Sequence, residues 1–202
     1  TGAAYILRKR APDGSLIYVI NLAKFDVEKY GSDMAFNFIY NTLVAYMIND
    51  DNQILGCTFV LNYVDCPLKL ISGYPIRDSA DFAHSANRCA GRYKKYILVG
   101  LPTAAAAILT AVKKVMTEKQ RNRLELVKDY EELSQHIDKS ALTEYLGGSE
   151  SENEVIELFI KIVEENYEKV CQCNEFQLDM TKAAACRDLD DSIGSFRTLE
   201  ID

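Results

Sequence analysis

The sequence is poor in histidine, with only His84 and His136 among 202 residues. Neither lies near a serine, cysteine or acid pattern that indicates a nucleophilic triad, so we interpret both as surface or packing residues. The sequence also lacks GxGxxG and GxxxxGK[ST] motifs, the usual phosphate loops of dinucleotide and nucleoside triphosphate sites. No pair of carboxylates can be assigned to one cleft. We therefore predict a binding protein with no catalytic residues and no cofactor.

Long apolar runs and paired cysteines are also missing. No run reaches the roughly 20 apolar residues that a membrane helix needs, and the N-terminus lacks the charged-then-apolar pattern of a signal peptide. The six cysteines form no CxxC pair. Because the chain is long enough to form a sizeable core, we interpret them as reduced, partly buried thiols that form no metal site. We expect a soluble, cytoplasmic protein.

The charge that is present is unevenly distributed. The net charge is −7, yet residues 88–123 contain nine basic residues and one acid. Such asymmetry indicates an anionic partner at one face, while the acidic remainder argues against general nucleic-acid binding. A merely solvated charged surface explains the charge pattern equally well.

Hydrophobic patterning predicts an α/β fold. The runs AYILRK and SLIYVI flank a Pro-Asp-Gly turn, which predicts a hairpin. Three later apolar runs predict buried strands, at residues 54–64, 95–101 and 124–129. Predicted helices lie between them, at residues 34–48, 79–89 and 103–115. This alternation implies right-handed crossovers onto a mostly parallel sheet.

Local signals divide the second half of the chain. Thr117 with Gln120, and Asp129 with Glu132, form capping-box patterns, so the preceding helix should break near Met116 and a short helix should follow Asp129. Residues 152–170 form one amphipathic helix with Ser151 as its candidate cap. Residues 171–202 lose periodicity and are predicted to be a partly irregular tail.

The predicted helix at residues 103–115 is rich in alanine, and its inward face is apolar but shallow. Shallow side chains either bring a helix close to the sheet or leave room for a ligand, and both interpretations stay open at this point. That face comprises Ala104, Ala105, Ile108, Leu109, Ala111, Val112 and Val115.

Three segments, KKYILVGLP, MTEKQRNRL and LTEYLGG, together resemble the CRAL-TRIO lipid-binding domain family. Within it, the likeness is to the carriers of tocopherol and retinaldehyde, and the ending GSFRTLEID is similar to arthropod members. The resemblance implies a domain over residues 1–170, with a mostly parallel β-sheet floor and helices that enclose a hydrophobic cavity. It also implies a short gate helix. The family's N-terminal helical lobe has no counterpart in this sequence.

The resemblance assigns roles to particular positions. The gate would touch ligand through Ala104, Ile108 and Ala111. The cavity wall would comprise Phe36, Ile39, Leu43, Cys57, Phe59, Leu61, Tyr96 and Leu98. A phosphoinositide head group would be held by Arg92, Lys94, Lys119 and Arg123. Asn62 replaces an acid that is common in the family, and Thr143 replaces its usual proline.

The implied function is the binding and transfer of one hydrophobic small molecule: a tocopherol, retinoid, carotenoid or phospholipid. Release would follow transient contact with an anionic membrane or a phosphoinositide. One alternative is a non-transporting interaction domain with a collapsed cavity. The other is an enzyme on a doubly wound sheet, with its site near residues 62–65 and Gly100.

Overall fold

Five strands form a single sheet in the computed structural model, which describes residues 2–67 and 92–175. The strands follow one another across the sheet in chain order, and only the first pair is antiparallel. The predicted hairpin and the mostly parallel sheet are therefore confirmed. The strands are β1 Ala4–Ile6, β2 Leu16–Asn21, β3 Cys57–Asn62, β4 Tyr93–Val99 and β5 Leu124–Val127.

The strand β3 is shorter than the apolar run that predicted it. Ile54 and Leu55 belong instead to the helix α2, Asp50–Leu55, which Asn49 caps by accepting a hydrogen bond from the Asp51 amide at 2.9 Å. Gly56 then ends the helix at φ 81°. A side chain at this position would run into the carbonyl group of Arg92, so glycine is required for β3 to approach β4.

The helix α1, Val27–Met47, covers one face of the sheet and begins before the predicted residue 34. Asp26 caps it by accepting from the Lys29 amide at 3.0 Å. Gly31 leaves the helical conformation, with φ 71° and ψ 166°, which kinks the first turns. The predicted helix at residues 79–89 lies outside the described residues.

The connection from β4 to β5 contains the alanine-rich segment. It forms a 3-10 turn, Thr103–Ala105, and then α3, Ala106–Val115. Met116 is extended, and α4, Glu118–Arg121, restarts with a complete capping box between Thr117 and Gln120. The predicted break and both halves of that box are confirmed.

The next capping box differs in one detail. Asp129 accepts from the Glu132 amide at 3.0 Å and begins α5, Tyr130–His136, as predicted. The carboxylate of Glu132 accepts from the Lys128 amide at 2.6 Å, not from that of Asp129. A 3-10 turn, Glu144–Leu146, follows.

The predicted helix at residues 152–170 is two helices, α6 Glu152–Glu165 and α7 Tyr167–Glu175. They separate at Asn166, whose side-chain amide donates to the Ile162 carbonyl at 2.9 Å. Ser151 is the N-cap residue of α6, as predicted, but its side chain makes no cap hydrogen bond. Since α7 runs to Glu175, helix continues past the predicted start of the tail, and residues 176–202 lie outside the described part.

Candidate functional site

The register of the parallel strands brings the predicted wall residues of the sheet onto one face. Side chains directly opposite on neighbouring strands share a face, as do alternate residues along a strand. Two rows therefore lie on the side that α1 covers, which we call the α1 face. They are Tyr18, Phe59, Tyr96 and Leu124, and then Ile20, Leu61, Leu98 and Leu126.

Aromatic rings fill the centre of the α1 face. The rings of Phe59 and Tyr96 stack at 8° with centroids 5.7 Å apart. Tyr93 and Tyr18 flank Phe59 at 5.4 Å and 5.7 Å. Phe59 and Tyr96 are both buried. Sequence reasoning missed both Tyr18 and Tyr93. Alternation along β2 could have indicated Tyr18, whereas Tyr93 stands three residues before Tyr96 and the pairing of β3 with β4 shifts register between Cys57 and Thr58, which strand alternation does not show.

The remaining sheet residue of the predicted wall, Cys57, is fully buried beside these rings. Burial raises the pKa of its thiol far above the usual range, so the neutral S–H form persists and behaves as a small apolar group. None of the four cysteines in the described part, at positions 57, 66, 171 and 173, forms a disulfide.

The helix α1 is tied to this face by a buried hydroxyl pair. The hydroxyls of Tyr18 and Thr42 share a hydrogen bond of 2.6 Å. Leu43, the next residue, is buried in the core, and Ile39, one turn earlier, packs against it partly buried. Phe36 is also partly buried. The predicted residues of α1 thus belong to the helix that faces the sheet.

The alanine-rich helix packs against the core through a residue of its predicted apolar face. Ile108 and Ala111 are partly buried, and the side chain of Ala104 lies outside the described part. Among the α3 side chains that the structure describes, Leu109 packs against the core, and it follows buried Ala105 by one helical turn. Leu109 lay on the apolar face recognised in the sequence but was not among the residues predicted to contact ligand.

An open cleft of about 640 Å³ separates α3 from β5. Leu126 lines it and is 51% exposed, although it continues the row of Leu61 and Leu98. The apolar surface of the α1 face therefore extends, uncovered, to the edge of the sheet. The other lining residues are Gly100, Leu101, Pro102, Thr103, Leu109, Thr110, Lys113, Val127, Lys128 and Glu132.

Three of the four predicted head-group residues lie together at the amino ends of β4 and β5. The Arg123 guanidinium donates to the Tyr93 carbonyl, which places it beside Arg92 and Lys94. Arg92 is exposed, whereas Lys94 and Arg123 are partly buried. Lys119 is exposed one turn earlier, on α4. We refer to Arg92, Lys94, Lys119 and Arg123 as the basic cluster.

One basic residue next to the basic cluster, Lys95, has an acidic partner. The Lys95 ammonium lies 2.9 Å from Glu125, whose second carboxylate oxygen is 2.9 Å from Nδ1 of His136. His136 is thus a packing residue on the face opposite α1, as predicted. The remaining histidine, His84, lies outside the described residues.

Residues 1–148 match the CRAL/TRIO domain family. The chain belongs to that family. Its members are known for lipid binding and transfer, and are generally not enzymes. The family assignment made from the sequence is confirmed, whereas the narrower likeness to tocopherol and retinaldehyde carriers of arthropod type stays a prediction.

Among solved structures, the CRAL/TRIO chain is similar to the crystal structure of Sfh5 at a TM-score of 0.54. The two share 15% sequence identity, so the likeness shows the fold alone. It covers 77% of this chain and 59% of the Sfh5 chain. No curated protein matches the sequence.

At the carboxyl end of β3, in one part of the alternative enzyme site, Asn62 makes structural hydrogen bonds, whereas Gly100, the other part, lines the open cleft. The buried Asn62 amide donates to the Asn21 side chain and to the Tyr130 hydroxyl, both at 3.0 Å. Its carbonyl oxygen accepts from the Val64 amide at 3.1 Å. Asn62 therefore anchors loops, and sequence reasoning missed its partner Tyr130.

Thr143, which stands where the family usually has proline, is also used structurally. Its hydroxyl and that of Tyr5 share a hydrogen bond of 3.0 Å, and both residues are fully buried.

Within residues 2–67 and 92–175, no helix is long and apolar enough to cross a membrane. In the same residues, no group of three or more histidine, cysteine or acidic side chains could hold a metal ion.

Proposed function

We propose that this CRAL/TRIO domain binds one hydrophobic small molecule between the α1 face and α3 and transfers it between membranes. The observation that carries the proposal is Leu126, half-exposed in an open cleft at the end of a row that is otherwise covered. A ligand that enters there meets Leu61 and Leu98 next. The ligand classes that fit the family resemblance are a tocopherol, a retinoid, a carotenoid and a phospholipid.

The remaining predicted wall residues would shape the interior. In this proposal Phe59, Tyr96 and Cys57 form the floor, and Phe36, Ile39 and Leu43 form the α1 side. The lid comprises Ala104, Ile108 and Ala111, together with Leu109. Burial of about 400 Å² of apolar ligand surface stabilises the complex by roughly 10 kcal/mol before ordering costs, which is sufficient for tight binding.

The basic cluster would direct release. Ammonium and guanidinium groups make charge-assisted hydrogen bonds to phosphate oxygens, and each basic residue near an anionic leaflet contributes about 1 kcal/mol. Arg92, Lys94 and Arg123 lie at the amino ends of β4 and β5, and α3 reaches this edge through α4. Contact with a phosphoinositide there would favour movement of α3. The protein would then be cytoplasmic and only transiently bound to membranes.

The direct test is extraction of the freshly purified protein with organic solvent, together with native mass spectrometry. We expect one small apolar molecule per chain. Failure to recover any ligand, combined with failure to take up lipid from vesicles, would overturn the proposal.

A second experiment tests the basic cluster. Lys119→Ala with Arg123→Ala should slow transfer to phosphoinositide-containing vesicles severalfold, while ligand retention in solution stays at the level of the wild type. Lys161→Ala with Lys169→Ala removes the same charge from α6 and α7 and is the control. Since Arg123 also holds the Tyr93 carbonyl, Lys119→Ala alone serves as the variant that leaves this contact intact. Equal loss of transfer and retention would contradict the division of roles.

One observation favours a second candidate, an interaction domain with a filled interior. The stacked rings of Phe59 and Tyr96 occupy the middle of the surface that a ligand would contact. A purified protein that carries no ligand, and takes up none, would support this candidate over a carrier.

A further inference from the structure

The cleft between α3 and β5 has one lysine on each of two walls. Lys113 belongs to α3, and Lys128 directly follows the last residue of β5. Lys113 is partly buried and Lys128 is exposed. Neither belongs to the basic cluster, which lies at the amino ends of the strands. The cleft thus has positive charge of its own.

These lysines have no acidic partner in the part of the chain that the structure describes. Other lysines of the domain do have acidic partners: Lys24 lies 2.8 Å from Glu152, and Lys95 lies 2.9 Å from Glu125. Unpaired cationic groups beside apolar surface are available to an anionic ligand.

One acid does line the cleft. The carboxylate of Glu132 accepts a hydrogen bond from the backbone amide of Lys128 at 2.6 Å, so one of its oxygens is engaged in the start of α5. With two lysines and one glutamate among the lining residues that the structure describes, the cleft has a net charge of +1.

The rest of the lining is largely apolar. Leu101, Leu109 and Leu126 contribute branched side chains, and Leu126 leads to the covered row of the α1 face. A volume of about 640 Å³ is within the range of small-molecule sites. The combination of apolar walls with cationic groups at the margin matches an amphiphile.

We propose that the cleft binds the head group of an amphiphile with one anionic group, a carboxylate or a phosphate, between Lys113 and Lys128. The hydrocarbon chain would pass over Leu126 toward the α1 face. This inference rests on the proposed carrier function and narrows it, because anionic lipids would be preferred over neutral ones such as tocopherols and retinols.

The test compares three probes with the same hydrocarbon chain: oleic acid, oleyl phosphate and oleyl alcohol. Their dissociation constants are measured by calorimetry, without membranes, for the full chain. We expect the wild type to bind at least one anionic probe about tenfold more tightly than the alcohol, the difference that one charge-assisted contact supplies. Whichever anionic probe binds more tightly identifies the head group as carboxylate or phosphate.

Substitutions test whether Lys113 and Lys128 cause the preference for the anionic probes over the alcohol. Lys113→Gln with Lys128→Gln should bind all three probes equally, with alcohol binding unchanged. Lys113→Arg with Lys128→Arg should keep the preference because the charge is kept. Lys114→Gln with Lys139→Gln removes the same charge at exposed positions outside the cleft lining and should behave as the wild type.

The possible failures are distinguishable. A wild type that binds the alcohol as tightly as both anionic probes would overturn the inference and leave the carrier function standing. A preference that survives Lys113→Gln with Lys128→Gln would also overturn it. A wild type that binds none of the three probes would count against the carrier function itself, and the inference would fall with it.

Discussion

Arg121 fastens the end of α3 to α4 by hydrogen bonds to two carbonyl groups. Its Nη1 donates to the Met116 carbonyl at 2.6 Å and to the Lys113 carbonyl at 3.2 Å. The last carbonyl groups of a helix lack partners within the helix and carry partial negative charge, so a guanidinium is well suited to them. Because Met116 is extended, this side chain spans the joint about which α3 would move.

We predict that Arg121→Gln loosens α3. The variant loses charge-assisted contacts at a partly exposed site, so the local opening free energy should fall by about 1 kcal/mol, roughly a fivefold change in the opening equilibrium. Hydrogen exchange of amides 106–116 should be faster by that factor, while those of β2 and β3 keep their rates. Lys114→Gln is the control on the same helix. Unchanged exchange in α3 would show that Arg121 does not hold the joint.

We predict that Leu126→Glu abolishes ligand uptake but leaves the fold intact. Half of the Leu126 side chain is already exposed, so the free energy of unfolding should change by less than about 1 kcal/mol. A carboxylate at the mouth of the cleft would oppose entry of an apolar or anionic ligand. The measurement is uptake of a fluorescent lipid from vesicles, with Leu158→Glu on α6 as the control at a similarly exposed leucine. Normal uptake by Leu126→Glu would exclude the cleft as the entry route.

The sheet could be predicted from the sequence because its strands are apolar runs bounded by turn residues. One of these runs, within KKYILVGLP, also carried part of the family resemblance. The predicted wall residues of the sheet share a face because they occupy alternate positions, 57, 59 and 61 in β3 and 96 and 98 in β4. The predicted start of β3 is wrong because an apolar run alone does not distinguish the end of a helix from the beginning of a strand. Ile54 and Leu55 continue the apolar run of β3, yet Asn49 caps them into a helix.

The rotation of α3 about its own axis, which decides the side chains that face the core, could not be predicted from the sequence. Ile108 and Leu109 both fall on its broad apolar face, and a helical wheel does not show which of them meets the core. In the structure Leu109 packs against the core and also lines the cleft. The same rotation brings Lys113 to the cleft, since residues four apart in a helix lie on the same side. Tertiary contacts, which the sequence pattern does not contain, decide both.

We predict that Gly148→Ala destabilises the domain more than Gly31→Ala. A side chain at Gly148 would collide with the backbone of fully buried Leu142, and relief requires displacement of a packed loop, at about 3 kcal/mol. Gly31 has open space around it, and alanine there is destabilised only by backbone strain, about 2 kcal/mol, because φ 71° and ψ 166° lie in a region that glycine alone adopts readily. Urea unfolding gives both values. Equal losses would show that the loop after the Glu144–Leu146 turn is not rigidly packed.

We predict that the free energy of unfolding falls in alkali because buried tyrosines resist ionisation. The contribution of one of them, Tyr5, can be measured by substitution. Burial raises the pKa of Tyr5 from 10.0 to about 12, and its hydrogen bond to Thr143 only partly offsets this. The folded state thus favours the neutral phenol. The corresponding stability is fully present below pH 10 and is lost as the pH rises from about 10 toward 12, by up to about 3 kcal/mol.

Tyr5→Phe removes that titration and leaves the buried Thr143 hydroxyl without its tyrosine partner. The variant should therefore be less stable than the wild type at pH 7, by about 1–3 kcal/mol, and the gap should narrow as the pH rises through 10. Urea unfolding at pH 7, 9, 10 and 11 measures both effects. Burial also raises the pKa of Tyr18 and Tyr46, so both proteins lose stability in alkali and only their difference reports on Tyr5. A gap that stays constant with pH would contradict the burial of a neutral Tyr5.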